Sequence, residues 1–516
     1  MRQTSSGILE NNGALVFAPN LETDSPPGVT YTRAIMLKNS GEANGTMLCT
    51  FDYSTTFNGQ LTWPLYKSTD GGVTWTLLFS FDENILDLPL AMNPMIFEVP
   101  QQIADLEPGT LLFTGVLKPE DASITRIVVY KSTDSGTTWS YLSTVDEGGP
   151  AVYDPLPTST TTAIWEPVLA VTRNGDLTIH YSDERQKDND ILQALVQKTS
   201  TDGGLTWGPI NNVVAVSNRN DRPGMISITV LPDGTHFAVY EVVNVPGLDV
   251  NSSTVHFKTS PDGVMWDYQT IGTPVVLEDG YGLGSSPYVK WVDNGESNGL
   301  IVITSKWALD PSGNLIPTQN FFTNSNLGEG YWQKMPMAVT FKFDVYETSV
   351  TSYVAFSQAL ETDIENTTLY QAVGVENGDF IDARCGGMPI NTITYEAENA
   401  VLTSVAVIEQ REASGEKKVG DISSSDSQVL FNNINVTEAG IYIMNIRYNN
   451  GSGENSIHQV SINGGSVQYV EYMPSADWER FLWKTLEIEL VDGVNTIGFS
   501  YYEGLAMIDC IQIYKI

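Results

Sequence analysis

Ser200-Thr201-Asp202-Gly203-Gly204-Leu205-Thr206-Trp207 is the stretch that decides the fold, because the chain repeats it. The pattern Ser-x-Asp-x-Gly-x-x-Trp returns at 68–75 and 132–139, and a copy one residue shorter spans 260–266. A worn copy at 325–332 keeps the Ser and the Trp but has no Asp. The Asp can accept hydrogen bonds from backbone N–H groups, the Gly tolerates a positive φ, and the Trp can pack between sheets. A self-similar unit of roughly 60 residues built from short strands predicts a propeller.

Short alternating runs bounded by Gly, Asn, Asp and Pro dominate the chain, which indicates an all-β protein. Strand pairs joined by tight turns recur six times, from Ala34–Leu37 with Gly45–Asp52 to Ala355–Leu360 with Thr368–Val375. These pairs predict a six-bladed β-propeller over residues 1–384. A Gly-Gly and Pro-containing segment predicts a linker at 385–392, and alternating strands over 393–516 predict a C-terminal β-sandwich.

Composition limits the partners of the protein. The 516 residues carry a net charge of −36, which argues against nucleic acid and against an anionic membrane surface. The three cysteines are widely spaced and make neither a disulfide framework nor a zinc pattern. Residues 1–7 do not resemble the apolar core of a signal peptide, and five Asn-x-Ser/Thr triplets are compatible with secretion.

The starts of the innermost strands should converge on one mouth of the propeller. Five of them read Arg33-Ala34, Asn93-Pro94, Glu166-Pro167, Arg222-Pro223 and Ser286-Pro287, and Pro is tolerated at the first residue of a strand. The second strand of a blade runs antiparallel and ends on the same face. We therefore predict that one mouth gathers seven polar residues, with the repeated turns on the opposite face: Arg33, Asp52, Asn93, Glu166, Asp183, Arg222 and Glu241.

Carboxylates are the chemical groups that this mouth offers. The four histidines lack zinc spacing, and neither Gly-x-Ser-x-Gly nor a phosphate loop occurs. Glu166 stands between Trp165 and Pro167, and an apolar neighbourhood favours the protonated form that a general acid needs. Glu241 should stand beside Arg222, and a nearby cation keeps a carboxylate ionised as a nucleophile requires. Two such carboxyl groups are what glycoside cleavage needs, although acidic residues at strand ends are more often solvated surface.

The repeated turns look like the Asp-boxes of sialidases and related propellers. Six further segments resemble glycoside hydrolase family 93, made of six-bladed exo-1,5-α-L-arabinanases: Ile164–Pro167, Tyr181–Arg185, Arg222–Met225, Leu231–Gly234, Val239–Glu241 and Ser285–Tyr288. The resemblance implies a retaining mechanism that releases arabinobiose, with Glu166 as acid/base and Glu241 as nucleophile. Sugar hydroxyls would be held by a set of polar rim residues, whose alternative is salt bridging along the rim: Arg33, Asp52, Asn93, Asp183, Arg185 and Arg222.

The resemblance also implies a tyrosine at the start of the last blade. The alignment of blades places Phe356 there, so we predict that Tyr353, three residues upstream, is the catalytic tyrosine. Tyr331 is the other candidate, but the worn turn should put it on the face away from substrate.

The C-terminal stretch resembles carbohydrate-binding modules of families 6 and 35, on the segments Tyr395–Asn399 and Met507–Ile511. Those modules hold a structural calcium ion near paired acids, and hard oxygen ligands suit calcium. Glu396, Glu398 and Asp509 are the implied ligands, and ordinary edge-strand acids are the alternative. Trp478 is a candidate platform for stacking a sugar, whereas Trp483 is expected in the core.

These observations predict a secreted, extracellular, monomeric arabinan hydrolase that needs no cofactor for catalysis and acts on plant cell-wall polysaccharide such as the side chains of pectin. Two alternatives stay open. A sialidase would need three arginines, and only Arg33 and Arg222 stand at strand starts. A non-catalytic glycan-binding propeller is the second.

Overall fold

The computed structural model describes residues 12–22, 24, 26–57, 60–81, 88, 90–244, 253–341, 354–390, 392–475 and 477–515. Within these ranges the regular elements are strands and three short 3₁₀ helices at Gly41–Ala43, Lys187–Asn189 and Ala397–Asn399. None of the described helices is long and apolar enough to cross a membrane. The predicted all-β fold is confirmed.

The strands of the N-terminal part, in chain order, are β1 Ala14–Phe17, β2 Val29–Met36, β3 Met47–Phe57, β4 Gln60–Thr62, β5 Pro64–Ser68, β6 Thr76–Ser80, β7 Leu90–Glu98, β8 Leu111–Lys118, β9 Thr125–Ser132, β10 Ser140–Gly148, β11 Ile164–Val171, β12 Leu177–Asp183, β13 Ala194–Ser200, β14 Asn211–Val214, β15 Asp221–Val230, β16 His236–Asn244, β17 Ser253–Ser260, β18 Thr273–Pro274, β19 Gly282–Gly284, β20 Tyr288–Val292, β21 Leu300–Thr304, β22 Trp307–Leu309, β23 Leu315–Ile316, β24 Asn320–Asn324, β25 Gln333–Pro336, β26 Ala359–Thr362, β27 Thr368–Asn377 and β28 Phe380–Pro389.

Six sheets form the blades of the propeller. Blades one to five are the sheets β2-β3-β5-β6, β7-β8-β9-β10, β11-β12-β13-β14, β15-β16-β17-β18 and β20-β21-β24-β25, and β4 is added to blade one. Blade six has the order β26-β27-β28-β1. The N-terminal strand β1 is thus the outer strand of the last blade, and this pairing closes the ring. A small sheet, β19-β22-β23, lies beside blade five in the chain.

The innermost strands share an irregularity at their mouth end. The pairing with the second strand shifts there in blades one to four, between Thr30 and Arg33 in the first of them. A non-glycine residue with positive φ occurs at or beside this point in all six blades: Tyr31, Asn93, Glu166, Met225, Ser286 and Ala355. Such residues cost free energy and persist where the surrounding structure over-determines them, which is typical of functional sites.

The repeated turns are hydrogen-bonded hairpin connections between the third and fourth strands of a blade. In the copy at 200–207, Asp202 accepts hydrogen bonds from the Ser200 hydroxyl at 2.7 Å and from the backbone N–H of Thr206 at 2.9 Å. Gly203 and Gly204 both have positive φ. Because the third strand runs away from the mouth, these turns lie on the face opposite to the ends of the second strands.

The C-terminal part is a β-sandwich, as predicted. Its strands are β29 Ile393–Glu396, β30 Val401–Thr403, β31 Ala406–Glu409, β32 Lys417–Gly420, β33 Gln428–Val436, β34 Gly440–Asn449, β35 Ser456–Ile462, β36 Val467–Tyr472, β37 Leu482–Leu490, β38 Gly493–Glu503 and β39 Met507–Lys515. One sheet has the order β31-β32-β39-β34-β37 with β29 paired to β39, and the other has the order β30-β33-β38-β35-β36. A separate apolar core lies between them, around Phe431, Ile446 and Phe499.

The predicted linker at 385–392 is wrong over most of its length. Residues 385–389 belong to β28, where Gly386 and Gly387 pair with Gln371 and Tyr370 of β27. The two glycines serve close packing, because a Cβ on Gly386 would lie 2.5 Å from a methyl carbon of Val339. The Gly-Gly pair therefore marks a crowded strand and not a flexible connection.

Candidate active site

Glu166 is held by three hydrogen-bond donors. Its carboxylate accepts from the Tyr31 hydroxyl at 3.1 Å, from the Ser182 hydroxyl at 2.8 Å and from the backbone N–H of Met225 at 2.7 Å. These donors come from blades one, three and four, so the side chain is fixed where the blades meet. Hydrogen bonds donated to a carboxylate stabilise its charged form.

Glu241 lies on the second strand of blade four, opposite Gly224 and one position from Met225. Its Oε2 accepts the backbone N–H of Ser286 at 2.9 Å, and the residue is buried. Burial, and then the negative charge of Glu166, raise the pKa of Glu241. The Ser286 N–H, the Ser285 hydroxyl and the positive charge of Arg222 act in the opposite direction and favour the ionised form of Glu241.

The mouth thus holds the two carboxyl groups that the sequence analysis expected there, on neighbouring blades three and four. Arg222 acts on Glu241 as a nearby cation, because its charge lowers the pKa of that carboxyl. Its ion pair is with Glu184, whose Oε1 lies 2.8 Å from Nη2.

Tyr31 is a site residue that sequence reasoning missed. Its hydroxyl contacts Glu166, and burial together with the charges of Glu166, Asp52 and Glu241 raises its pKa, so the phenol keeps its proton and donates it. Its ring packs edge-on against Phe356, with centroids 5.2 Å apart. Tyr353 lies outside the described residues, so its predicted role stays a prediction, and Tyr331 is exposed.

Arg33, Asp52 and Asn93 lie near the axis. Arg33 and Asn93 line a small cavity with Tyr31 and Glu166. Arg33 donates to the backbone oxygen and hydroxyl of Ser357 at 2.9 and 2.7 Å, so much of its hydrogen bonding joins blade one to blade six. Asp52 accepts the backbone N–H of Asn93 at 3.0 Å, and burial raises its pKa to about 7. The other oxygen of Asp52 and the amide oxygen of Asn93 are buried without a hydrogen-bond partner in the described structure, as polar groups that await a ligand would be.

Asp183 and Arg185 are placed differently from the prediction. Arg185 forms ion pairs with Asp183 at 2.7 Å and with Asp146 of blade two at 2.9 Å. Ser182 of blade three pairs with Trp165, just as Glu241 of blade four pairs with Gly224. Ser182, and not Asp183, is therefore the residue of blade three that is equivalent to Glu241. The side chains of adjacent strand residues point to opposite faces, so Asp183 is directed away from Glu166. Asp183 and Arg185 therefore form a salt-bridge network between blades two and three, which is the role that the sequence analysis gave as the alternative to sugar binding.

Tyr153 is a second residue that the sequence did not reveal. Its ring covers the guanidinium of Arg222, with Cζ 4.8 Å from the centroid, and 61% of its surface is exposed. Burial, and then the charges of Glu241, Glu166 and Glu184, raise the pKa of the Tyr153 phenol. An exposed aromatic ring at this position offers a surface on which a sugar can stack.

In the C-terminal module, the expected metal ligands are only partly free to bind. Asp509 accepts from Arg447 Nη1 at 2.7 Å and from the backbone N–H of Ser414 at 2.9 Å. Across the described part of the chain, no three His, Cys, Asp or Glu side chains are grouped so as to hold one metal ion. Glu396 and Glu398 nevertheless each keep a buried Oε2 without a hydrogen-bond partner in the described structure. Burial, with Asp509 nearby, raises the pKa of Glu396 to about 7. Two crowded carboxylates fit a hard cation, whereas Asp509 is committed to Arg447.

Trp478 is half-buried, and its carbonyl oxygen accepts from Lys418 Nζ at 2.8 Å and from the amide of Asn449 at 2.7 Å. Trp483 is buried, as expected, but its core is shared with the propeller, because the indole N–H donates to the Met337 oxygen at 3.0 Å.

Comparison with known families and structures supports both parts of this architecture. Residues 42–271 match the family described as BNR repeat-like domain, and residues 393–516 match the carbohydrate binding module of family 35. The α-L-arabinanase of Penicillium chrysogenum, solved with arabinobiose, is similar at 28% identity and a TM-score of 0.63, over 74% of this chain and 98% of that one. The GH93 α-L-arabinofuranosidase of Fusarium graminearum, also solved with arabinobiose, is similar at 27% identity and a TM-score of 0.60, over 73% and 97%.

A curated relative matches over a much smaller region. A cycloisomaltooligosaccharide glucanotransferase of Niallia circulans is 31% identical over 114 residues, which are 21% of this chain and 11% of that protein. The chain thus spans about a tenth of the length of this relative.

Proposed function

Because the chain joins a propeller similar to those of glycoside hydrolase family 93 to a family 35 carbohydrate-binding module, we propose that it is a retaining exo-acting glycoside hydrolase. Its substrate would be α-1,5-L-arabinan and its product arabinobiose. The observation that carries the proposal is the pair Glu166 and Glu241, one carboxylate held by three donors and the other buried with a raised pKa.

The reaction would run in two steps. Glu241 attacks the anomeric carbon while Glu166 donates its proton to the departing glycosidic oxygen, which breaks that bond and leaves a glycosyl ester on Glu241. A water molecule then gives a proton to Glu166 and attacks the anomeric carbon, which breaks the bond to Glu241 and releases the sugar with its original configuration. Tyr31, Ser182 and the Met225 N–H hold the acid/base Glu166 during both steps. The buried oxygens of Asp52 and Asn93 would accept hydrogen bonds from sugar hydroxyls.

Product analysis on linear arabinan tests the activity. Arabinobiose should be released by the wild type and lost in Glu166→Gln and Glu241→Gln. Release of sialic acid from a sialoside instead would establish the sialidase alternative, and binding without turnover would indicate a glycan-binding propeller.

Azide separates the two roles, with an aryl α-L-arabinobioside that has a good leaving group as the substrate. Glu166→Ala should give a glycosyl azide of retained configuration, because the ester on Glu241 still forms. Glu241→Ala should give the inverted azide. The opposite pair of products would exchange the two roles.

The setting of the enzyme is part of the same proposal. A secreted, monomeric protein acting on plant cell-wall arabinan is consistent with the strong negative charge and with the carbohydrate-binding module. The cation that Glu396 and Glu398 could bind would be structural, since they belong to the module and not to the mouth.

A further inference from the structure

The C-terminal module is docked on the face of the propeller that carries the mouth. Four of the residues it contacts are Gln319 and Asn320 at the start of β24, Thr340 beyond β25, and Glu376 near the end of β27. A third strand such as β24 begins at the mouth side, and a second strand such as β27 ends there. These four contacts therefore lie on the side of Glu166 and Glu241, in the sector of blades five and six. The module also contacts Lys334 of the outer strand β25, and Tyr281.

The segment 477–483 of the module forms the centre of this contact. Arg480 pairs with Glu376 at 2.6 Å, in side chains that are only 14% and 15% exposed. The side-chain amide of Gln319 donates to the Glu479 oxygen at 2.8 Å and its carbonyl accepts the Phe481 N–H at 3.0 Å. Backbone and side-chain bonds of this kind fix the orientation of the segment.

A buried cation joins the two parts from the module side. Arg447 is fully buried, pairs with Asp509 and donates from Nη2 to the Gln319 backbone oxygen at 3.1 Å. Opening the contact would leave this buried Nη2 donor without its acceptor on Gln319, so the contact resists opening. Together with the core shared around Trp483, these bonds make the docking rigid.

Trp478 lies in the middle of the docked segment, two residues from Arg480. The docking therefore sets where this half-buried indole stands relative to the propeller. We propose that the module is a fixed wall of the substrate cleft, and that a neutral furanose polysaccharide contacts Trp478 while its end occupies the mouth. This inference rests on the proposed function and names the part of the site that would distinguish a polymer from a short substrate.

Kinetics on two substrates test the inference in the full-length chain. Trp478→Ala and the double variant Gln319→Ala/Arg480→Ala should each raise KM on linear arabinan about three- to tenfold, as loss of one aromatic contact would. In the double variant, kcat on arabinan and both kcat and KM on an aryl α-L-arabinobioside should not change. Arg126→Ala, which breaks the partly exposed pair with Glu147 in blade two, is the matched control and should change neither substrate.

The double variant Gln319→Ala/Arg480→Ala is the decisive one, because it removes the side-chain contacts that orient the segment and leaves Trp478 in place. A freely tethered module would keep its polymer KM in this variant, and that result would overturn the inference, as would equal losses on both substrates. Affinity electrophoresis in arabinan reads binding without turnover. Absence of hydrolysis by the wild type would remove the proposed function, whereas equal retardation of the wild type and the double variant would remove the fixed wall.

Discussion

The hydroxyl of Tyr31 lies 3.1 Å from Oε1 of Glu166 and joins the innermost strand of blade one to that of blade three across the axis. Tyr31→Phe should lower kcat about 10- to 100-fold, because the carboxylate loses one of its three donors while the ring packing stays. The variant should melt within a few degrees of the wild type. Tyr141→Phe, on an outer strand, is the control and should retain full activity. Unchanged kcat in Tyr31→Phe would show that the tyrosine only packs.

The buried pair of Arg222 and Glu184 should be important for stability. Their charged groups are 2.8 Å apart and the side chains are 5% and 1% exposed. Glu184→Gln should lower the free energy of unfolding by about 3–5 kcal/mol, since Arg222 would keep a buried, unbalanced charge. Urea titration measures this. Glu147→Gln, which removes the partner of Arg126 at the surface, should cost no more than about 1 kcal/mol.

Stability should fall as the pH rises from about 4 to 7, in part through Asp52. Burial raises its pKa from 3.8 to about 7 in the folded state. The folded form therefore binds the proton more tightly than the unfolded chain, and the stabilisation present below pH 4 is lost as pH passes 7, at up to about 1.4 kcal/mol per pH unit. In Asp52→Asn, thermal melts across this window should show a shallower decline. An equally steep decline would contradict this origin.

Removal of divalent cations should destabilise the module. Burial, and then the charge of Asp509, raise the pKa of both carboxyls, Glu396 and Glu398. A cation on Glu396 and Glu398 would stabilise their ionised forms, so Ca²⁺ should increase the melting temperature relative to EDTA. Glu396→Gln should lose this response, whereas Glu409→Gln, at an exposed position, should keep it. Identical melts of the wild type in Ca²⁺ and EDTA would argue that the two glutamates bind no metal.

The turn at 200–207 should affect stability but not catalysis. Asp202→Ala removes the acceptor for Ser200 and Thr206 and should cost about 1–2 kcal/mol. kcat and KM should be unchanged, because the turn lies on the face away from Glu166. A loss of activity at temperatures where the variant is folded would contradict that placement.

The fold could be predicted from the sequence because its signals are local. Four of the five repeated turns carry their own Asp, Gly and Trp, and alternation marks the strands between the turns. Glu166 and Glu241 were found for the same reason, since a strand end or a following proline is visible in one stretch of sequence. The linker was wrong because Gly386-Gly387 has the same composition in a crowded strand as in a flexible connection.

The remaining errors come from the irregular strand starts. Counting residues back from the end of the strand predicts that Asp183 faces Glu166. The shift in strand pairing places Ser182 there instead. The direction of the Tyr31 side chain depends on the positive φ of that residue. A glycine in the sequence would have indicated a positive φ, but a tyrosine does not. Which glutamate pairs with Arg222 is decided by contacts between blades, and these are not encoded in any short segment.

The positive-φ residues at the six strand starts have one further consequence. They create six positions of similar backbone conformation around the axis of the ring. Only the position in blade three is a glutamate, and the others are tyrosine, asparagine, methionine, serine and alanine. The backbone conformation therefore repeats from blade to blade, whereas the side chain at this position does not. Substrate preference could diverge among such propellers by substitution at one of these positions, with the strands and turns left intact.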